Sequence, residues 1–477
     1  MVETCIDDVS SEFAGATLGD ARLSRRLSTI VRAAAMRPGE SFPDMFEDDS
    51  SIDGFYRFMS NERVTAGTLA APHAQRTIER IAASDGDVLI VQDTSDVLME
   101  GEAPRRGMGP LGGSKKDGFR FHAALAIEAS RLRPIGVPVY MTWARERGVL
   151  KQPDGRSRNG KETVTDTQSE ARRWLLTAQA SADAVGREQS RRLVHLMDSE
   201  ADAFWLMEAL AGERHRFVIR LARDRKIVDA DWTTVTTKLR HAAVQTSYEV
   251  AIAKRQGKQA PRSNARSGAR NARVARVVVS AEAVTLRAPR YNRGASTLTL
   301  NVVQVREQEV PAGEPAIDWV LYTTEPIDSV DEMLRVVALY RARWQIEEFF
   351  KALKTGCQLE KRQLESYHAL TNALALLIPI AWRMLLLRNV ARAEPDAPAT
   401  AVITDDHRQV LEHVFKRPLP LTASAKDVLL VIAALGGHMK HNGFPGWLVL
   451  GRGMEKLEHA TDTWVAARAH FEDVRNR

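Results

Sequence analysis

Two short apolar runs, each ending in an aspartate, constrain this chain more than any other feature of it. Asp87-Val-Leu-Ile-Val-Gln leads to Asp93, and Leu193-Val-His-Leu-Met leads to Asp198. A short unbroken apolar run bounded by polar residues reads as a strand covered on both faces, the kind found at the centre of an α/β sheet. Phe121 to Ile127 and Gly136 to Trp143 have strand character, and Arg216 to Leu221 reads as a fifth strand. A polar, helix-prone stretch runs to about residue 190, with an apolar face at Trp174 to Ala178.

Three successive strands, a helix, a strand, a helix and a strand is the order of a ribonuclease-H-like α/β core. In that topology the first and fourth strands lie side by side. Asp93 and Asp198 are then expected at the ends of adjacent strands, close enough to share a metal ion. Each aspartate alone favours an ordinary strand-end carboxylate capping a helix, but the coincidence of both at matched strand ends does not.

With 477 residues the chain exceeds what one hydrophobic core covers, so two or three domains are expected. A charged fraction of 27% beside 44% hydrophobic residues argues against long disorder. Lys and Arg outnumber Asp and Glu by 67 to 61, a modest excess whose distribution says more than its size. The two cysteines, Cys5 and Cys357, form no Cys-x-x-Cys pair, which argues against a zinc module and for a reducing cytoplasm. The first residues lack a signal-peptide core. The most apolar run, Ala373 to Leu387, is interrupted by Pro379 and Arg383 and reads as a buried helix too short to span a bilayer. The Gly-rich segment Gly107 to Gly118 lacks the Gly-Lys-Ser/Thr ending of a phosphate-binding loop and reads as a hairpin loop.

Leu23, Leu27, Ile30 and Val31 recur at helical spacing, with Arg22, Arg25, Arg26 and Arg32 over much of the remaining surface. Such a helix either lies along phosphates or presents an ordinary solvated face. Asn61 to Ala83 reads as another helix. Residues 230 to 325 look like a β-rich insertion. Within it Lys254, Arg255, Lys258, Arg262, Arg266, Arg270, Arg273 and Arg276 follow one another with no acid between them, and strand-like segments run from Val274 to Ser280 and from Ser296 to Val305. The basic run is expected to be a mobile arm that phosphate binding would order, with a solvated linker as the alternative.

The richest stretch begins after Pro326. Ser329 with Glu332 forms a capping-box pattern, and Gly356 fits the position that ends the helix. At about 100° per residue, Tyr340, Arg343, Glu347 and Lys354 fall in one stripe roughly 60° wide, and Glu348 falls off it. Two cations, a phenol and a carboxylate make an unusual set for a packing face. An exposed face with Glu–Lys pairing accounts for the charges but not for the intercalated Tyr340.

Tyr340, Arg343, Glu347 and Lys354 form a Tyr-x2-Arg-x3-Glu-x6-Lys pattern that resembles the signature of the insertion sequence 4 family of bacterial DDE transposases. The resemblance covers nearly the whole chain. Leu18-Gly-Asp-Ala-Arg and Phe55-Tyr-Arg-Phe-Met resemble the family's N-terminal DNA-binding domain, and Gln92-Asp-Thr-Ser and Asp198-Ser-Glu-Ala-Asp its two aspartate motifs. Ala434-Leu-Gly-Gly-His-Met and Gly446-Trp-Leu-Val-Leu-Gly resemble its C-terminal end. Ser199 departs from the family's arginine after the second aspartate, and Arg362-Gln363 departs from its order downstream of the helix.

The resemblance implies Asp93, Asp198 and Glu347 as ligands of two Mg²⁺ ions, with Mn²⁺ able to substitute. It implies Arg343, Lys354 and Tyr340 on phosphates of double-stranded DNA at a transposon end, Trp319 against a flipped base, and Arg220 near the active site. It also implies cut-and-paste transposition through a hairpin intermediate and a homodimer in the DNA complex. The expected layout is a helical DNA-binding domain over 1–70, a ribonuclease-H-like domain over 71–373 carrying the insertion, and a helical dimerisation domain over 374–477. The 149 residues from Asp198 to Glu347 leave room for that insertion. Two other functions remain open from the residues themselves, a non-catalytic DNA-binding regulator and a metal nuclease without strand transfer.

Overall fold

The computed structural model describes residues 9–99, 101, 105–111, 117–144, 171–252, 254, 270–290, 292, 294–439, 441 and 443–475. Three helices, α1 (Ala21–Met36), α2 (Asp49–Met59) and α3 (Ala66–Ala83), precede the strands β1 (Val88–Leu98), β2 (Gly109–Pro110), β3 (Asp117–Glu128) and β4 (Arg133–Trp143). Then come α4 (Arg172–Ser190), β5 (Leu193–Met197), α5 (Phe204–Gly212), β6 (Arg216–Arg220) and α6 (Val235–His241). Four strands follow, β7 (Thr246–Ile252), β8 (Arg273–Arg287), β9 (Thr297–Glu307) and β10 (Asp318–Thr323). The last described elements are α7 (Val330–Ala342), α8 (Trp344–Lys351), α9 (Tyr367–Ala393), α10 (Asp405–His413), α11 (Ala425–Leu435) and α12 (Trp447–Arg475). The protein is mixed α/β, and its chain divides into two compact units. One comprises Met1–Lys151, Ala180–Ser190 and Trp344–Arg477, the other Gln152–Gln179 and Arg191–Arg343.

In the first unit β3 pairs antiparallel with β1 along one edge and with β4 and the short β2 along the other. Val88, Leu89, Ile90 and Val91 are fully buried, each contributing about 1.5–3 kcal/mol of apolar burial. The strand does not stop at Asp93 as its apolar run suggests. Pairing with β3 continues from Val88 opposite Glu128 to Leu98 opposite Gly118. What changes at Asp93 is burial, because Val88 to Gln92 are buried and Asp93 to Asp96 are half-exposed.

Local signals explain the surrounding helices. Asp20 caps α1 through the Arg22 N–H at 2.7 Å, and Leu27, Ile30 and Val31 form its buried stripe while Arg22, Arg25 and Arg32 stay exposed. Phe55, Phe58 and Met59 are core residues of α2, so the Phe55-Tyr-Arg-Phe-Met motif is largely a packing motif. A Thr65–Thr68 capping box starts α3 at Ala66, later than the expected Asn61. Helix α9 is the spine of this unit. Its length and a mean hydropathy of 1.8 would suit a membrane span, yet that window is completely buried in protein. Pro379 and Arg383 do not interrupt it. Arg383 is accommodated by an ion pair with Glu458 of α12 at 2.9 Å. Gly436 and Gly453 let α11 and α12 approach closely, since a Cβ on either would fall within 2 Å of a carbonyl oxygen, that of Val449 or Ile432.

The sheet of the second unit runs β5-β6-β10-β9-β8-β7. Strands β5 and β6 are parallel, and every later neighbour pair is antiparallel. Its core gathers Trp174, Phe204, Trp205, Phe217 and Tyr322. The expected strands from Val274 to Ser280 and from Ser296 to Val305 fall within the longer β8 and β9, except that Ser296 just precedes β9. Of the basic run, residues 255–269 lie outside the described residues. Arg273 departs from the expected arm, being built into β8 and bonded to Glu307 at 3.0 Å and Glu314 at 3.1 Å.

A buried ion cluster ties the N-terminal segment to the first unit. Glu12 accepts hydrogen bonds from His73 Nδ1 at 2.6 Å, Arg76 Nε at 3.2 Å and Arg80. Val137 donates its N–H to His73 Nε2 at 3.1 Å, which fixes the imidazole proton on Nδ1. Burial alone would raise the Glu12 pKa, but the bonds and charges of His73 and Arg80 lower it from 4.5 to about 2. A depressed carboxyl contributes its full stability above the unfolded pKa and loses it as pH falls through the folded one. Glu12→Gln should therefore cost on the order of 3 kcal/mol at neutral pH. The urea midpoints of wild type and variant should converge between about pH 4.5 and pH 2, and a gap that ignores pH would contradict this account.

Candidate active site

Sequence alternation along β1 sends Asp93 to one face of the strand and Thr94 and Asp96 to the other. The Asp93 carboxylate accepts the Thr94 N–H at 2.7 Å. On the opposite face Thr94 meets His122 Nδ1 at 2.8 Å, and Asp96 meets Arg120 Nε at 3.1 Å, both partners being supplied by β3 in register. Helix α8 packs against β1, which brings the element carrying Glu347 onto the strand carrying Asp93.

The helix expected to run unbroken from Ser329 to Gly356 is not uniform. The capping box at its start is present, with Ser329 and Glu332 bonded reciprocally. Helix α7 then ends at Ala342, Arg343 is its cap, and α8 begins at Trp344. Ala352–Gly356 winds as a π-helix, whose i→i+5 bonds change the angular step. A constant 100° step therefore does not describe the whole stretch, and the single stripe from Tyr340 to Lys354 is corrected to separate segments. The π turn directs Lys354 to the Asp96 carbonyl oxygen and to Glu360 Oε1 at 3.3 Å. Glu360 in turn accepts the Leu98 N–H at 3.0 Å. Glu348 is held by Arg388 of α9 and by Lys351 at 2.6 Å. Burial would raise its pKa, but Lys351 and Arg388 outweigh that and hold it below the usual range.

In the second unit five of the expected residues come together. Asp198 follows the fully buried β5 and is half-exposed, accepting the Glu200 N–H at 2.8 Å as cap of a short 3-10 turn. Met197 pairs with Ile219, so Asp198 and Arg220 are the next residues of two neighbouring parallel strands. Tyr340 is 6% exposed. Its ring meets Trp319 edge-on at 5.9 Å between centroids, and the Arg343 guanidinium lies 5.9 Å from its centre. Burial lifts the Tyr340 phenol above its ordinary value, Arg343 and Arg220 pull it down, and Asp198 pushes it up. Trp319 is half-buried, neither a plain core residue nor a fully presented platform.

The sequence did not reveal how the neighbouring acids are used. Asp202 is buried and receives the N–H groups of Ala222 at 2.7 Å and Arg223 at 3.0 Å, together with Arg225 Nε at 2.8 Å, which fastens the loop after β6. Glu200 pairs with Arg173 at 2.8 Å. Asp96, Arg120 and Glu360 were also missed, because only strand register and the π turn bring them together. Among the described residues no cluster of three His, Cys, Asp or Glu side chains is arranged to hold a metal ion. The expected residues Asp93, Asp198 and Glu347 each carry carboxylate oxygens, the donor type that hard divalent cations prefer.

Comparison with known families places these features in order along the chain. Residues 8–64 match the family described as transposase DNA-binding, and residues 196–382 match the family described as transposase DDE domain. The second match contains Asp198, Arg220, Trp319, Tyr340, Arg343, Glu347 and Lys354, whereas Asp93 lies outside both. The two domains together support a DNA-binding transposase, an enzyme whose partner is DNA.

Replacing Glu348 or Arg388 with Ala should each lower stability, and the double mutant should lose less than the sum, with a coupling of about 0.5–3 kcal/mol in a urea-unfolding cycle. Zero coupling would show that Glu348 is not spent on this pair.

Proposed function

We propose that this protein is a cut-and-paste DNA transposase of the insertion sequence 4 type, acting as a homodimer on double-stranded transposon ends and target DNA. The observation that carries the reading is the gathering of Tyr340, Arg343, Arg220 and Trp319 with Asp198 inside a region that matches a transposase DDE domain. Asp93, Asp198 and Glu347 are the metal-holding carboxylates of this proposal. When bound, two Mg²⁺ ions, or Mn²⁺ in their place, would supply Lewis acidity to the attacking and leaving oxygens of a phosphodiester.

The chain's own residues do the rest. Arg343 and Lys354 bind phosphate oxygens, Lys354 by exchanging its present acceptors for the DNA. The Tyr340 phenol, kept protonated by its raised pKa, donates a hydrogen bond to a phosphate. Trp319 presents a half-buried ring to a displaced base, and Arg220 adds positive charge beside Asp198. In this reading hydrolysis frees a 3′-OH, which attacks the opposite strand to close a hairpin, and the reopened end then joins target DNA. Exposed Phe471 and Val474, 71% and 55% accessible near the end of α12, support the C-terminal helix as part of the dimer contact.

The test starts from duplexes selected out of a random-sequence pool by the full chain. A labelled selected end incubated with Mg²⁺ and target plasmid should give joined product, and Asp93→Ala, Asp198→Ala or Glu347→Ala should each reduce it by roughly 10³-fold or more. Cleavage without joining would replace the reading with a nuclease, and binding without cleavage with a regulator. Lys354→Ala should weaken binding and reduce the slope of log affinity against log salt by about 1.

A further inference from the structure

Arg362 is almost fully buried, at 2% exposure, and among the described residues its hydrogen bonds all go to backbone carbonyls, with the Glu40 carboxylate acting on it only through its charge. Its Nη2 donates to the carbonyl oxygens of Pro38 at 2.6 Å and Cys357 at 2.7 Å, and its Nη1 donates to that of Glu40. The guanidinium also lies 4.7 Å from the centre of the Phe42 ring. Burial lowers its pKa to about 10, and the arginine stays charged. Beside it, Gln358 adopts a left-handed backbone at φ 48° and gives its side-chain amide to the Gly39 carbonyl oxygen. Three consecutive carbonyls of the segment leaving α1 are thus read by two side chains from one turn.

That turn directly follows the π segment that carries Lys354. The segment it grips belongs to residues 8–64, which match a transposase DNA-binding domain and include the exposed arginines of α1. Packing alone does not call for an arginine here, since a buried cation is costly to desolvate and an apolar side chain of similar length would fill the space. A planar fork that fixes several carbonyls in one geometry does call for it.

We propose that Arg362 is a positioning residue that keys the loop after α1 to the turn that follows the Lys354 segment, so that DNA seated on α1 sets the placement of Lys354. The inference rests on the transposase reading for its consequence in catalysis, and on the geometry alone for the coupling.

The experiment compares wild type, Arg362→Met, Arg362→Lys and Gln358→Ala as full chains with a selected duplex. Hydrogen exchange of residues 352–361 should slow on DNA binding in wild type. In Arg362→Met, DNA should still protect α1 but leave 352–361 unchanged, with Arg362→Lys and Gln358→Ala intermediate. Single-turnover cleavage in Mg²⁺ should fall about 10- to 100-fold in Arg362→Met while DNA affinity changes less than threefold. Equal protection of 352–361 in wild type and Arg362→Met, or equal loss of affinity, cleavage and stability, would overturn the proposal. If Arg362→Met fails to fold, Gln358→Ala and Arg362→Lys decide on the same readouts. Wild type that binds DNA without cleaving it would instead defeat the enzymatic reading, and the exchange data would still decide the coupling.

Discussion

A carboxylate is costly to carry into the middle of a strand covered on both faces, and both units place an aspartate where that cover ends. In the first, β1 is covered through Gln92 and becomes half-exposed at Asp93. In the second, β5 is covered through Met197, and Asp198 is the next residue out. The apolar run fixes the strand, and the aspartate takes the first position where water can reach it. Each carboxylate also spends one lone pair on a nearby backbone N–H, Thr94 for Asp93 and Glu200 for Asp198. Those bonds orient the side chains.

What the sequence discloses and what it conceals follow from the range of the interactions. Strand cores, the Asp20 cap and the Ser329–Glu332 box are local patterns, and the structure contains them. The extension of β1 beyond Asp93 is not local, since Ser95 and Asp96 have weak intrinsic strand character and are carried by pairing with β3. The winding change at Ala352–Gly356 leaves no periodic trace, because a face count presumes the pitch it is meant to test. Arg383 looks like a break in α9 only while its partner Glu458 is unseen. Arg273 reads as part of a free basic run until β9 supplies Glu307. The candidate site residues are types and spacings the sequence displays; their partners are legible only in three dimensions.

Those partners bear on which acids are available for chemistry. Each expected carboxylate has an acidic neighbour close in sequence: Asp93 has Asp96, Asp198 has Asp202, and Glu347 has Glu348. In all three cases the neighbour is committed to an arginine, Asp96 to Arg120, Asp202 to Arg225 and Glu348 to Arg388. Recruiting one of these acids to a metal would break its pair, at a cost of about 3–5 kcal/mol where the pair is buried and about 0–1 kcal/mol where it is exposed. The penalty is largest for Asp202, whose side chain is wholly buried, and smallest for Asp96, which is 41% exposed. Helical periodicity separated Glu347 from Glu348 on an assumed pitch. The Arg388 pair gives Glu348 a structural task of its own, as Arg120 and Arg225 do for Asp96 and Asp202. Structural demand therefore accounts for Asp96, Asp202 and Glu348, each of which has an arginine partner of its own.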